Sequence, residues 1–112
     1  MSNTIELNGQ KYPFRFGIRC IGQFEQKFGS ISDLQNGMDS VSKAIDISAL
    51  VFYLAHNDCV RYEKLDNELL SEDDALDIID KAGMESIPVI MGIFKDQMEI
   101  MTSGVNNVNK KK

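Results

Sequence analysis

The chain has 112 residues, of which 43% are apolar and 26% are charged, and its formal net charge is −5 at pH 7. This length supports a single domain with one core, and no stretch approaches the ~18 to 20 apolar residues that a bilayer-spanning helix requires. Nucleic acid is also a poor partner, because the segment Glu63 to Glu85 carries nine acidic residues against two lysines and repels phosphate.

The N-terminal segment predicts a cytoplasmic protein that begins with a β-hairpin. The first eight residues have no basic region followed by an apolar run, which argues against a signal peptide. Asn8-Gly9 suits the two positive-φ positions of a type I′ turn between Thr4 to Leu7 and Gln10 to Phe16. A two-residue turn sets the strand register so that the apolar side chains share one face: Ile5, Leu7, Tyr12 and Phe14.

A first helix is predicted after Gly17, and it ends at Gly29, which occupies the position of a C′ glycine. Its apolar residues follow helical spacing: Ile18, Ile21, Phe24 and Phe28. Gly22 lies inside this helix, where a glycine costs about 1 kcal/mol relative to alanine, so we expect another backbone to approach closely there. The connector from Ser30 to Ser40 is predicted to contain a short helical piece at Asp33 to Asn36.

The second predicted helix is the most apolar part of the chain. Asp46 can cap its N-terminus, and the helix is expected to run to about Asn57. Because Ile47 to Ala55 is apolar nearly all round, this helix belongs at the centre of the domain. Cys59 to Leu70 has little pattern and is expected to be a loop.

The third predicted helix begins with Ser71, which is followed by three carboxylates where the helix dipole favours negative charge. It is expected to run to about Ala82 and to be closed by Gly83. Four aspartates are conceivable metal or acid–base groups: Asp73, Asp74, Asp77 and Asp80. Asp73 and Asp77, or Asp77 and Asp80, share a helix face, but Asp66 to Asp74 has neither the glycine nor the ligand spacing of a calcium loop. The pattern therefore favours a solvated acidic face.

The fourth predicted helix opens at Ser86, with Pro88 in its first turn, and runs to about Met101. One apolar cluster on it consists of Ile87, Ile90, Met91, Phe94, Met98 and Met101. A second cluster beside the first consists of Val89, Ile93 and Ile100. At ~100° per residue the two clusters cover about 200° of the helix, twice the stripe that one core requires. Part of this face is therefore expected to contact another chain.

We assign partner binding to six residues of the fourth helix: Val89, Ile90, Ile93, Phe94, Met98 and Met101. Flexible methionine side chains suit a surface that accepts varied helices, although core filling explains them equally well. Residues 1–101 are predicted to form the domain, and the polar, partly basic residues 102–112 are predicted to be a disordered tail.

Catalytic and metal-binding patterns are not found in the sequence. His56 is the only histidine, and we interpret it as a structural residue near a helix end. Cys20 and Cys59 lack the paired spacing of a zinc site and are predicted to be buried free thiols. No phosphate-binding loop or zinc motif occurs, so the chain is predicted to be no enzyme and to need no cofactor or metal.

The strongest argument for nucleic-acid binding is a small basic and aromatic cluster on and after the hairpin: Lys11, Arg15, Arg19, Tyr12, Phe14 and Phe16. However, Tyr12 and Phe14 fall on the hairpin face opposite Lys11 and Arg15. We therefore interpret the rings as core, and predict neither nucleic acid nor a membrane as partner.

Taken together, the elements predict an α+β fold in which an N-terminal β-hairpin packs on a bundle of about four α-helices. The hairpin TIELNGQKYPFRFG, a helix ending in FEQKFG, and SISDL precede an apolar helix, a capped acidic helix and a last helix with a polar tail. This order resembles that of the tail assembly chaperones of long-tailed, siphovirus-like bacteriophages. The resemblance is sharpest over Thr4 to Leu34, and from Ser40 to Met101 it is one of layout and length.

The resemblance implies a non-catalytic role in the host cytoplasm, in a protein that is not part of the mature virion. Such chaperones coat the long helical tape measure protein and give way to tail tube protein as the tube polymerises. The family also implies a frameshifted longer form, for which a run of adenines encoding Lys110 to Lys112 would be a suitable site. A leftover apolar face is in addition compatible with a homo-oligomer.

A second hypothesis belongs to a different functional class. The acidic third helix could mimic nucleic acid or cover a basic protein surface, which would make the chain a small regulatory or inhibitory protein. Charge-based binding of this kind would weaken strongly between low and moderate salt, whereas an apolar groove would be less sensitive.

Overall fold

The computed structural model describes residues 4–29 and 40–110 of the chain. Within these residues a two-stranded antiparallel hairpin is followed by four helices. The elements are β1 (Thr4–Leu7), β2 (Gln10–Pro13), α1 (Ile18–Phe28), α2 (Val41–Glu63), α3 (Glu72–Ala82) and α4 (Ser86–Lys110). This arrangement confirms the predicted α+β fold, and the helical piece predicted at Asp33 to Asn36 lies outside the described residues.

The hairpin forms with the predicted turn and register. Asn8 and Gly9 have φ angles of 54° and 78°, the left-handed values that a type I′ turn requires. Ile5 pairs with Tyr12, and Leu7 pairs with Gln10. The apolar face is turned inward, with Ile5 and Leu7 buried and Tyr12 half-buried. Local turn chemistry and strand alternation therefore determine this element.

Helix α2 is the central element, as predicted, but its ends lie elsewhere. The cap is Ser40, whose hydroxyl accepts a hydrogen bond from the Lys43 amide at 3.2 Å, so the predicted cap Asp46 is wrong. The helix also continues past Asn57 to Glu63 and ends at Lys64, which has a φ of 54°. Residues 59–63, expected in a loop, are therefore helical.

Asn57 explains why the predicted end of α2 was wrong. Its side chain does not cap the helix but pairs with the backbone of Leu70: Nδ2 donates to the Leu70 carbonyl at 2.8 Å, and Oδ1 accepts from the Leu70 amide at 2.7 Å. The amide group thus ties the segment before α3 to the flank of α2. A residue type that often ends helices here serves a long-range contact instead.

Aromatic rings join the hairpin, α1, α2 and α4 into one core. Phe14 stacks on Phe52 of α2 at a centroid distance of 6.5 Å. Phe16 makes an edge contact with Phe94 of α4 at 4.7 Å and with Phe24 of α1 at 6.2 Å. Four of these five rings are less than 2% exposed, so the segment after β2 carries the centre of the core.

Two predictions for α1 are wrong, although its bounds and its terminal Gly29 are confirmed. Ile18, assigned to the apolar stripe, is 78% exposed, whereas Cys20 is buried beside Phe24. At ~100° per residue Ile18 lies about 140° from the centre of the face formed by Cys20 and Phe24, and this offset accounts for its exposure. Gly22 is exposed and a Cβ there would meet nothing within 4 Å, so no backbone of the described residues approaches it closely.

Helices α3 and α4 begin where the sequence predicts. Ser71 and Asp74 form a capping box, with reciprocal side-chain to amide hydrogen bonds of 3.1 and 3.0 Å. Helix α4 starts at Ser86 and runs on to Lys110 rather than ending at about Met101. Residues 102–110 include one glycine and no proline, so no residue in this stretch forces the helix to stop.

Candidate protein-binding surface

Helix α4 buries one of its two predicted apolar clusters in the core of the chain. Ile87, Ile90 and Phe94 are 7%, 0% and 3% exposed, and Phe16 and Phe24 close over Phe94 from the other side. Ile90 and Phe94 were predicted to bind a partner, and this assignment is corrected because their side chains contact the chain's own core. The rings that cover Phe94 come from residues far away in the sequence, which helix periodicity does not reveal.

The second cluster faces outward. Val89 and Ile100 are 42% and 54% exposed, whereas Ile93 between them is half-buried and also packs against the core. At ~100° per residue these three side chains fall within about 40° of one another, so they form a single line along the helix. We call Val89, Ile93 and Ile100 the α4 stripe.

The predicted partner-binding residues therefore divide into separate groups. Val89 and Ile93 lie on the α4 stripe, which also includes Ile100, a residue not among those predicted to bind. Met98 is half-buried and packs against the core. The side chain of Met101 lies outside the described part of the structure.

Gln97 holds α4 against the hairpin between its two apolar faces. Its Oε1 accepts a hydrogen bond from the Phe16 amide at 2.6 Å, and its Nε2 donates to the Phe14 carbonyl at 3.1 Å. Beyond β2 this part of the backbone pairs with no strand of the described residues, and the one Gln97 side chain satisfies two of its polar groups. This residue was not predicted, and a single glutamine on an apolar helix is the only signal that the sequence contains.

A depression of about 330 Å³ adjoins the α4 stripe where the hairpin turn meets the start of α4. Val89 forms part of its wall, and the carboxylates of Glu6 and Glu85 also line it. Both glutamates are exposed. An apolar stripe that begins next to two carboxylates suits a helix with apolar residues on one face and a basic residue near one end.

An apolar groove of about 400 Å³ lies between α2 and α3. Its lining residues are Ile45, Leu76, Asp77, Ile79, Asp80, Gly83 and Met84. Met84 is 55% exposed and precedes α4 by two residues, so the groove opens near the start of that helix. It widens the apolar surface that the chain offers beyond the α4 stripe.

The groups with conventional catalytic chemistry are buried. His56 lies within α2, and its Nε2 donates to the Glu68 carbonyl at 2.8 Å, while burial lowers the pKa of the ring. The Cys20 thiol donates to the Leu54 carbonyl at 3.3 Å, and burial raises its pKa to about 12. Burial likewise raises the pKa of Cys59, and both cysteines are free thiols as predicted. Neutral buried thiols are poor nucleophiles.

The described residues offer neither a metal cluster nor a membrane span. Among residues 4–29 and 40–100, no three histidine, cysteine, aspartate or glutamate side chains come together as potential metal ligands. None of the helices described combines the length and apolar character needed to cross a bilayer.

Comparison of the chain with protein-family models, with curated proteins and with solved structures finds no match. The resemblance to phage tail assembly chaperones thus rests on the residues and layout of the sequence. It stays a prediction.

Proposed function

We propose that this chain is a non-catalytic tail assembly chaperone of a long-tailed bacteriophage. In this proposal it binds amphipathic helices of the tape measure protein on the α4 stripe and is later replaced by tail tube protein. The observation that supports it most directly is that Val89 and Ile100 stay exposed on a helix whose other apolar face is buried in the core. An exposed line of apolar side chains on a rigid helix is the geometry of helix-in-groove recognition.

The dimensions of the α4 stripe suit one client helix per chaperone. Val89 and Ile100 are eleven residues apart, which corresponds to about 16 Å or three helical turns. Three partly exposed aliphatic side chains support weak binding, since burying each one fully contributes about 1.5–3 kcal/mol at most. Many copies along a long helical client would give stable coating by avidity, and weak individual contacts would allow displacement.

Co-expression with the downstream tape measure protein tests this function. The wild-type chain should raise the soluble yield of the tape measure protein, and Val89→Asp with Ile100→Asp should abolish that increase. Leu69→Asp is the matched control, because Leu69 is 48% exposed and lies in the loop between α2 and α3. If the wild-type chain leaves the yield unchanged, the function is wrong; if the double variant raises the yield as much as wild type does, the stripe is not the binding surface.

A second candidate is an inhibitory module that covers a basic protein surface. It is favoured by helix α3, whose carboxylates lie on the surface: Glu72, Asp73, Asp74, Asp77 and Asp80. Reversal of charge at Asp77 and Asp80 would then abolish binding to the basic partner, whereas changes on the α4 stripe would not. Binding that is lost at moderate salt would favour this function over the chaperone.

A further inference from the structure

The arginines of the chain are gathered at one place. The sequence contains three, Arg15, Arg19 and Arg61, and all of them line a single depression of about 290 Å³ between the start of α1 and the end of α2. Ile18, Asp58 and Tyr62 complete its lining. Three guanidinium groups and one carboxylate give this arginine depression a net charge of +2, in a chain whose net charge is −5.

Arg15 is fixed in place at the base of the arginine depression. Its Nη1 donates to Asp58 Oδ2 at 2.6 Å, and its Cζ lies 3.7 Å from the centre of the Tyr62 ring. Asp58 is 8% exposed, so the ion pair lies in a partly dehydrated setting. Gly17 leaves room for this ion pair, because a Cβ at that position would lie 2.8 Å from Asp58 Oδ2 and closer still to Arg15.

Arg19 and Arg61, by contrast, are exposed. Within the described part of the chain neither of them forms an ion pair. Between them lie two apolar groups in water, since Ile18 is 78% and Tyr62 is 64% exposed. Arginine and tyrosine are among the residue types that contribute most to the binding free energy of protein interfaces. Here they surround an exposed aliphatic side chain.

We propose that the arginine depression binds a short segment of another protein in which carboxylates flank an apolar side chain. The guanidinium groups of Arg19 and Arg61 would each form a paired hydrogen bond with a carboxylate, a geometry that arginine supports and lysine does not. The apolar side chain would cover Ile18 and the open face of Tyr62. This surface shares no residue with the α4 stripe and does not depend on the proposed function.

A protein segment fits the charge distribution better than a nucleic acid. Arg15 already covers one face of Tyr62, which leaves a single face for stacking. The acidic segment begins at Glu63, directly after Tyr62, and would repel an extended phosphate backbone. A short segment with two carboxylates would pair with the exposed Arg19 and Arg61 without extending over the acidic segment.

Selection from a random peptide library tests the arginine depression and requires no identified partner. The full chain serves as the target, and the double variant Arg19→Glu with Arg61→Glu serves as the counter-target. Enriched peptides should carry aspartate or glutamate next to an apolar residue, and their affinity should fall roughly tenfold for each arginine replaced. Lys11→Glu with Lys95→Glu makes the same charge change on exposed residues elsewhere and should leave the affinity unchanged.

Four results would overturn the proposal, provided that circular dichroism shows the arginine variant to be folded. These are the absence of enriched peptides, a consensus without carboxylates, equal binding by the arginine variant, and equal loss of binding in the lysine control. Displacement of the peptide by a single-stranded oligonucleotide at about 0.15 M salt would assign the depression to nucleic acid instead. Concentration-dependent self-association that only the arginine variant loses would identify a second copy as the occupant.

Discussion

Replacing Phe94 with alanine tests which face of α4 belongs to the core. Phe94 is 3% exposed, and its ring centre lies 4.7 Å from that of Phe16 and 6.2 Å from that of Phe24. Burial of a phenylalanine contributes about 1.5–3 kcal/mol, and each aromatic pair adds about 0.5–1.5 kcal/mol. Since the removed ring also leaves a cavity, we expect Phe94→Ala to lower the free energy of unfolding by about 3–5 kcal/mol.

The measurement is urea denaturation followed by circular dichroism, with Val89→Ala as the matched control on the same helix. Val89 lies on the α4 stripe, so its truncation should change the free energy of unfolding by no more than about 0.5 kcal/mol. A loss of the expected size would remove a large part of the ~5–15 kcal/mol that stabilises a small domain. If Phe94→Ala lowers the free energy of unfolding by less than about 1 kcal/mol, or if both variants lower it equally, the assignment of core and surface faces is wrong.

Three further substitutions or conditions test the supporting contacts. Gly17→Ala should lower the free energy of unfolding by about 1–3 kcal/mol, because the new methyl group would displace the ion pair of Arg15 and Asp58. An unchanged urea midpoint would contradict this. Asn57→Leu removes the side-chain partner of the Leu70 amide and carbonyl, so we expect the free energy of unfolding to fall by about 2 kcal/mol and the Leu70 amide to exchange faster. Unchanged exchange would mean that these hydrogen bonds do not form. Burial lowers the pKa of His56 below 6.5, so below that pH the unfolded chain binds a proton that the folded chain does not. Stability should fall as pH drops from about 6.5 through the folded pKa, and this fall in the urea midpoint should vanish in His56→Gln.

Elements with strong local signals were predicted correctly. The hairpin register follows from Asn8-Gly9 and from strand alternation, both of which lie within a few residues of the bonds that they determine. The start of α3 follows in the same way from Ser71 and Asp74, three positions apart. Where the interacting groups are neighbours in the sequence, residue chemistry suffices to locate the element.

The ends of α2 could not be located in this way. Ser40 and Asp46 are both suitable N-caps, and local preference does not decide between them. Asn57 would favour a helix end, but its bonds to Leu70, thirteen residues later, make it more useful inside the helix. A tertiary contact, which no local sequence pattern reveals, therefore favours continuation of the helix beyond Asn57.

The candidate surface was only partly predictable for a similar reason. Periodicity correctly separated two apolar clusters on α4, but it assigned Ile90 and Phe94 to the partner because it cannot tell which cluster is covered. The answer depends on Phe16 and Phe24, which lie 78 and 70 residues before Phe94. The arginine depression was not predicted, because Arg61 lies near Arg15 and Arg19 only once α2 packs against α1.

Gln97 explains how a helix with two apolar faces adopts one orientation. The centres of the core face and of the α4 stripe are about 110° apart, so a rotation of α4 by that angle would bury Val89 in place of Phe94. Rotation would also remove Gln97 from the Phe14 carbonyl and the Phe16 amide, leaving buried polar groups unpaired at a cost of about 1–3 kcal/mol each. A polar contact between the two faces thus favours the orientation in which the aromatic rings pack together. Val89 and Ile100 of the α4 stripe stay exposed to water, where a partner can reach them.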